Sequence, residues 1–146
     1  MSKLSELLKQ LEDMTDSLSK DDEAALFYFE FLEKAPFPAW IKLYGNGDSY
    51  RMLHTNAAYA KQFGIKATHY QNLRDDEAWA NDTAQLFREQ DDRALREGVC
   101  FYEEKFYNTI TAQQETWYGA KWRLALPNKR MAVAGILLEN RTFKHE

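Results

Sequence analysis

The chain has a single cysteine, Cys100, among 146 residues. One thiol excludes an internal disulfide and fits a reducing compartment. Positive charge is in deficit, with a net charge of −4. A nucleic acid or an anionic membrane surface needs a basic face, so neither is expected as a partner. There is no long apolar run, and Met1 leads into SKLSELLKQLEDM without a cleavage site. A signal peptide and a membrane span are therefore not expected, and cytoplasm is the default location. Histidine is scarce (His54, His69 and His145), with no Cys or carboxylate at metal-ligand spacing, so no metal site is expected. No glycine-rich loop suited to phosphate is present.

What is abundant is aromatic. Nine Phe, eight Tyr and four Trp contribute to an apolar fraction of 45%, enough for one sizeable core. Leu4, Leu7, Leu11, Met14 and Leu18 alternate spacings of three and four, which predicts a first helix. Ser19 with Asp22 resembles a capping box opening a second helix through Leu32, and Pro36 and Pro38 stop it. Ala39 to Leu43 reads as a strand, Gly45-Asn46-Gly47-Asp48 as a turn, and Tyr50 to Thr55 as the returning strand. In RMLHTNAAYAKQFGI the period then changes without a loop. Asn56 can cap the helix from Ala57 to Phe63, and Gly64 can end it in the left-handed region.

Residues 66–98 read as polar helices, with Ala84, Phe87, Ala94 and Leu95 on one face of the longest and Gly98 as its stop. Three strands follow: CFYEEKFYN, ETWYGAKWRLAL and MAVAGILLE, the last two joined at Pro127-Asn128-Lys129. On the middle one, Tyr118, Ala120, Trp122 and Leu124 share a face, opposite Trp117, Lys121 and Arg123. The order is helix, two strands, short helices, three strands. It predicts an α+β fold, a five-stranded antiparallel sheet with short helices on one face and an N-terminal helical extension over residues 1–34.

That order resembles the PAS domain, the small sensory module of bacterial signalling proteins. APFPAWIKL is similar to its first strand and HTNAAYAKQFGI to its second strand and Asn-initiated helix. DDEAWANDTAQLFREQDDRALREGVCFYEEKF is similar to its helical segment, long helix and third strand. WYGAKWRLAL and VAGILLENRT are similar to its last two strands, with Lys121 at a frequent family lysine and Glu139-Asn140-Arg141-Thr142 where Asp-Ile-Thr is usual. The resemblance assigns residues 35–146 to the domain. It implies a sensor or interaction module rather than an enzyme. Asn56, Trp79, Phe87, Tyr118 and Trp122 would border a ligand between sheet and helices. Leu4, Leu7, Leu11, Met14 and Leu18 would form the helix of a homodimer, or would dock on the chain's own sheet. Flavin and heme are not expected. The Asn-Cys-Arg motif of the photoactive flavin class is missing, and the long helix has no axial His. No output domain is visible, so the signal passes to a partner chain or to sequence beyond Glu146.

Blander readings stand beside the sharp ones. His54 reads as a structural or solvent-facing histidine, and Cys100 as a small buried hydrophobe. Glu103 and Glu104 point to opposite faces, cannot cooperate, and read as solvated. Asp91-Asp92 reads as a solvated helix face. Aromatics on one strand face are more often core than pocket, so a filled dimerisation module stays open, as does a cone-shaped α+β enzyme or hydrophobic-ligand binder. The enzyme would need a buried acid–base residue, and no isolated Asp or Glu stands in an apolar run.

Overall fold

The computed structural model describes residues 3–13, 19–45, 48–108, 112–127 and 130–139. The proposed turns at Asn46-Gly47 and Asn128-Lys129, the seam positions Met14 and Leu18, and the ending at residues 140–142 lie outside them. The elements are α1 (Lys3–Asp13), α2 (Lys20–Lys34), β1 (Ala39–Gly45), β2 (Asp48–Thr55), α3 (Ala57–Phe63), α4 (Ala67–Tyr70), α5 (Asp75–Ala78), α6 (Asn81–Glu97), β3 (Val99–Asn108), β4 (Gln113–Leu126) and β5 (Arg130–Glu139).

The local signals act as read. The Ser19 hydroxyl accepts from the Asp22 N–H, and the Asp22 carboxylate accepts from the Ser19 N–H. Asn56 caps α3, and Gly64 closes it at φ 70°. Gly98 stops α6 at φ 90°.

The five strands form one antiparallel sheet in the order β2-β1-β5-β4-β3. The first and last strands in sequence, β1 and β5, pair directly, with Trp40 opposite Gly135. Helices α3 to α6 lie on one face, called inner here. Helices α1 and α2 lie on the other.

The outer layer holds part of the leucine stripe. Leu4, Leu7 and Leu11 are buried within the single chain, Leu11 fully, in one cluster with Tyr28, Phe29 and Leu32 of α2 and with Leu53 of β2. These three leucines thus take the docked alternative within the chain. A helix whose stripe faces a partner and one whose stripe faces its own sheet have the same period, so spacing cannot separate them.

Candidate functional site

The inner sheet face gathers side chains from every strand. Trp40 and Lys42 come from β1, Met52 from β2, Tyr102 and Glu104 from β3, Trp117 and Lys121 from β4, and Leu137 from β5. Two glycines let large rings lie flat on the strands. A Cβ on Gly135 would stand 2.3 Å from the Trp40 ring, and one on Gly119 would stand 2.2 Å from the Tyr102 ring. Tyr59, Phe63, Tyr70, Trp79 and Phe87 close the space from the helical side.

Between these rings runs a buried row of charges. Lys42 Nζ donates to Asp75 Oδ2 at 2.6 Å and to Asp91 Oδ2 at 2.9 Å. Lys121 Nζ lies 3.1 Å from Asp91 Oδ1, and Glu104 stands beyond it. Asp75, Lys42, Asp91, Lys121 and Glu104 thus alternate in sign, and all five are less than a tenth exposed. At one end the Tyr70 hydroxyl donates to Asp75, and the Trp79 indole N–H donates to the Tyr70 oxygen at 3.0 Å. At the other end Glu104 Oε1 has no donor among the described residues; on the wall of the same space the Trp40 indole N–H has no acceptor among them.

The protonation equilibria follow from this layout. Burial disfavours the Lys42 charge, but Asp75 and Asp91 together outweigh it and hold Lys42 above the ordinary lysine range. Lys121 is as buried, has only Asp91 close by and is repelled by Lys42, so it falls below that range. Burial would raise the Asp91 carboxyl, yet the two ammoniums hold it below the usual carboxylate range. Burial pushes Glu104 up, and Lys121 offsets only part of that. Burial also pushes the Tyr70 phenol up, with the Asp75 charge adding to it. Five ionisable groups out of water cost stability unless their geometry compensates, so such a row marks a candidate site.

The space these residues enclose is small, about 20 Å³ for the centre of a water-sized sphere, or room for one water.

Of the residues expected at a site, Trp79 and Phe87 line this space. Asn56 does not. It is a buried junction: Oδ1 accepts from the Ala39 and Tyr59 N–H groups, and Nδ2 donates to the Leu32 and Phe37 carbonyls. Tyr118 and Trp122 lie on the outer face, Tyr118 46% exposed and Trp122 edge-on to Tyr28 of α2 with ring centroids 5.1 Å apart. The alternation along β4 is as read, but the faces are exchanged. Both faces are covered by helices, so both are apolar, and periodicity does not name the inner one.

Three acids read as solvated or passed over are buried. Asp91 continues the stripe Ala84, Phe87, Asp91, Ala94 at spacings of three and four, so its burial was visible in the helix period. Lys42 interrupts the apolar strand AWIKLYG on the Trp40 face. Glu104 and Asp75 carry no such local signal. His54, by contrast, bonds Glu33 at the surface of α2, as a structural histidine does.

Comparison with known proteins agrees with this architecture. A family model described as "PAS fold" matches residues 32–139, and the chain belongs to that family. The PAS domain of Bordetella pertussis BvgS is similar at TM-score 0.57 and 16% identity, covering 80% of this chain and 86% of that one. A PAS domain from Colwellia psychrerythraea is similar at TM-score 0.57 and 9% identity, covering 80% and 96%. A Vibrio cholerae VqmA dimer in the absence of its target DNA, described among LuxR-type receptors, is similar at TM-score 0.61 and 15% identity, covering 78% of this chain and 50% of that one. At such identities these likenesses speak of fold. No curated protein matches the sequence. Membership places the chain in a family of sensory and signalling modules. Among the described residues no helix is long and apolar enough to cross a membrane, and no cluster of His, Cys, Asp and Glu could hold a metal ion.

Proposed function

We propose that this chain is a non-catalytic PAS sensor that responds to a small molecule entering between the inner sheet face and α3 to α6. The observation that carries this reading is the buried charged row ending on an unpartnered Glu104 oxygen, in a space that Trp40, its indole N–H also unpartnered, helps to line. A core kept only for packing gains nothing from two buried lysines and three buried acids, since apolar residues of similar volume are often as stable. The same strand couples the space to the outer layer. Trp40 presents its ring inward, and its carbonyl accepts from the hydroxyl of Tyr28 on α2. A ligand that shifts Trp40 would act on the packing of the N-terminal helices. The reading includes no flavin or heme, for the sequence reasons above.

The test is a fragment screen by nuclear magnetic resonance. Compounds that enter should move the indole N–H signals of Trp40 and Trp79, and move that of Trp122, which is packed on Tyr28 on the opposite face, less. If no compound moves the first two, the sensor reading fails.

One observation favours a second reading, an association module with a filled core: the space holds no more than a water as it stands. Phe101, Tyr118 and Leu138 are exposed on neighbouring outer-face positions of β3, β4 and β5, where a second chain could pack. A homodimer would then use this face rather than Leu4, Leu7 and Leu11. Light scattering of the intact chain and of Phe101→Asp tests it, with a dimer expected only for the former.

A further inference from the structure

Three of the five members of the buried row are acids and two are bases. Lys42 is held by Asp75 and Asp91, and Lys121 leans on Asp91. The Asp75 end of the row is closed by the Tyr70 hydroxyl. The Glu104 end is open. Glu104 is 4% exposed, a Gln90 side-chain bond serves its carboxylate, and its Oε1 has no donor among the described residues.

We propose that the cavity takes a small organic monocation, an alkyl- or arylammonium, whose N–H groups donate to Glu104 and complete the alternation of charge. This rests on the sensor reading and narrows it.

With Glu104 ionised the row carries one surplus negative charge, and a single positive group neutralises it where burial makes every unpaired charge costly. The walls are aromatic, and ring faces attract cations. Lys121 already shows that these rings accept one, with its Nζ 5.3 Å from the Tyr102 ring centre and 5.0 Å from that of Phe87. Finally, the open volume of about 20 Å³ suits a head no larger than an ammonium. The hydrocarbon tail would leave past the half-buried rings of Phe63 and Trp79, which pack edge to face with centroids 5.6 Å apart and would have to separate. An anion would add to the surplus and face three carboxylates. A neutral alcohol would leave the surplus uncompensated.

The experiment uses the full chain, three probes of matched size (n-butylammonium, n-butanol and butyrate) and potassium chloride. Indole and backbone signals are followed by nuclear magnetic resonance. The expected result is saturable movement of the Trp40 and Trp79 signals with n-butylammonium alone. Glu104→Gln keeps the shape and an acceptor but removes the charge, and it should weaken that binding tenfold or more, as loss of a charge-assisted bond does. Gln85→Ala, an exposed position on α6 outside the cavity, should leave binding unchanged. Equal binding of n-butanol, or full affinity in a folded Glu104→Gln, overturns the monocation and leaves the sensor reading standing. Potassium chloride reproducing the shifts overturns it in favour of an inorganic cation. No shift with n-butylammonium overturns the monocation, and the fragment screen then decides the sensor reading by itself.

Discussion

The hydroxyl of Tyr28 lies 2.7 Å from the Trp40 carbonyl and 2.9 Å from the Gly135 carbonyl, so one buried proton on α2 is shared by two paired strands. Burial holds this phenol far above its ordinary range, which keeps it a donor at every ordinary pH. On the other side of the sheet the Trp40 ring lies flat on Gly135. The outer helices and the inner cavity thus meet at one pair of residues. Tyr28→Phe should destabilise the fold by about 0.5–1.5 kcal/mol for the lost bond. It should also speed hydrogen exchange in α2 more than in α6. Equal acceleration in both helices would remove Tyr28 as the specific tether.

Asn56→Ala should cost more than an ordinary N-cap. A cap alone contributes about 0.5–2 kcal/mol. Here the same side chain also accepts from Ala39 N–H and donates to two carbonyls ahead of β1, and these groups would be left buried without partners. With about 1–3 kcal/mol for each orphaned buried group, a loss of about 3 kcal/mol or more is expected in urea denaturation. A loss under about 1 kcal/mol would show that the junction relaxes without it.

Leu11→Asp should unfold the chain rather than release a folded monomer. Leu11 is fully buried against α2 and the sheet. Truncating a buried leucine costs about 2–5 kcal/mol, and a buried charge adds to that. Circular dichroism with light scattering checks it. A stable, helical monomer from a dimeric parent would return the leucine stripe to the dimer.

Asp91→Asn should be among the most damaging single changes in the core. The carboxylate answers both Lys42 and Lys121, and its removal leaves two buried ammoniums with less than their charge. Breaking a buried pair from one side costs about 3–5 kcal/mol. Adding Lys121→Met to Asp91→Asn should restore part of the loss, because an uncompensated charge goes with it. An additive double variant would argue that the two residues do not interact.

Glu104→Gln should reveal a pH dependence of a particular sign. Burial raises the Glu104 carboxyl in the folded chain above its value in the unfolded chain, which is about 4.3. Between those two values the folded state binds more protons. Stability therefore falls as pH rises through that window and is flat with respect to this group below it. The glutamine lacks the effect, so its stability relative to the parent should grow from about pH 4 upward and then level off. Asp91 has the opposite sign, losing its contribution as pH falls, but it is common to both proteins and cancels in the difference. A difference independent of pH would mean Glu104 is not perturbed.

Much of the architecture was legible along the chain because it rests on local chemistry. The Ser19–Asp22 box, the Asn56 cap and the glycines at positions 64 and 98 act through neighbours a few residues away, and each marks a boundary where it was read. Strand alternation is equally local. It correctly set Tyr118 with Trp122 and Trp117 with Lys121 on opposite faces of β4.

Which of those faces meets which helices is a different kind of fact. Both sides of this sheet are covered, so apolar residues occur on both, and neither pattern nor propensity distinguishes Trp122 packed on Tyr28 from Lys121 packed under Phe87. The leucines of α1 met the same limit, since their stripe is identical whether it faces a second chain or α2 and β2. The charged row is the clearest case. Asp75 and Glu104 are polar residues in polar surroundings along the sequence, 29 positions apart. They become parts of one buried site because the sheet order places β3 and β1 around β5 and β4, and because α5 and α6 close over them. Burial of a charge is a property of everything packed around it, and only the folded chain supplies those neighbours.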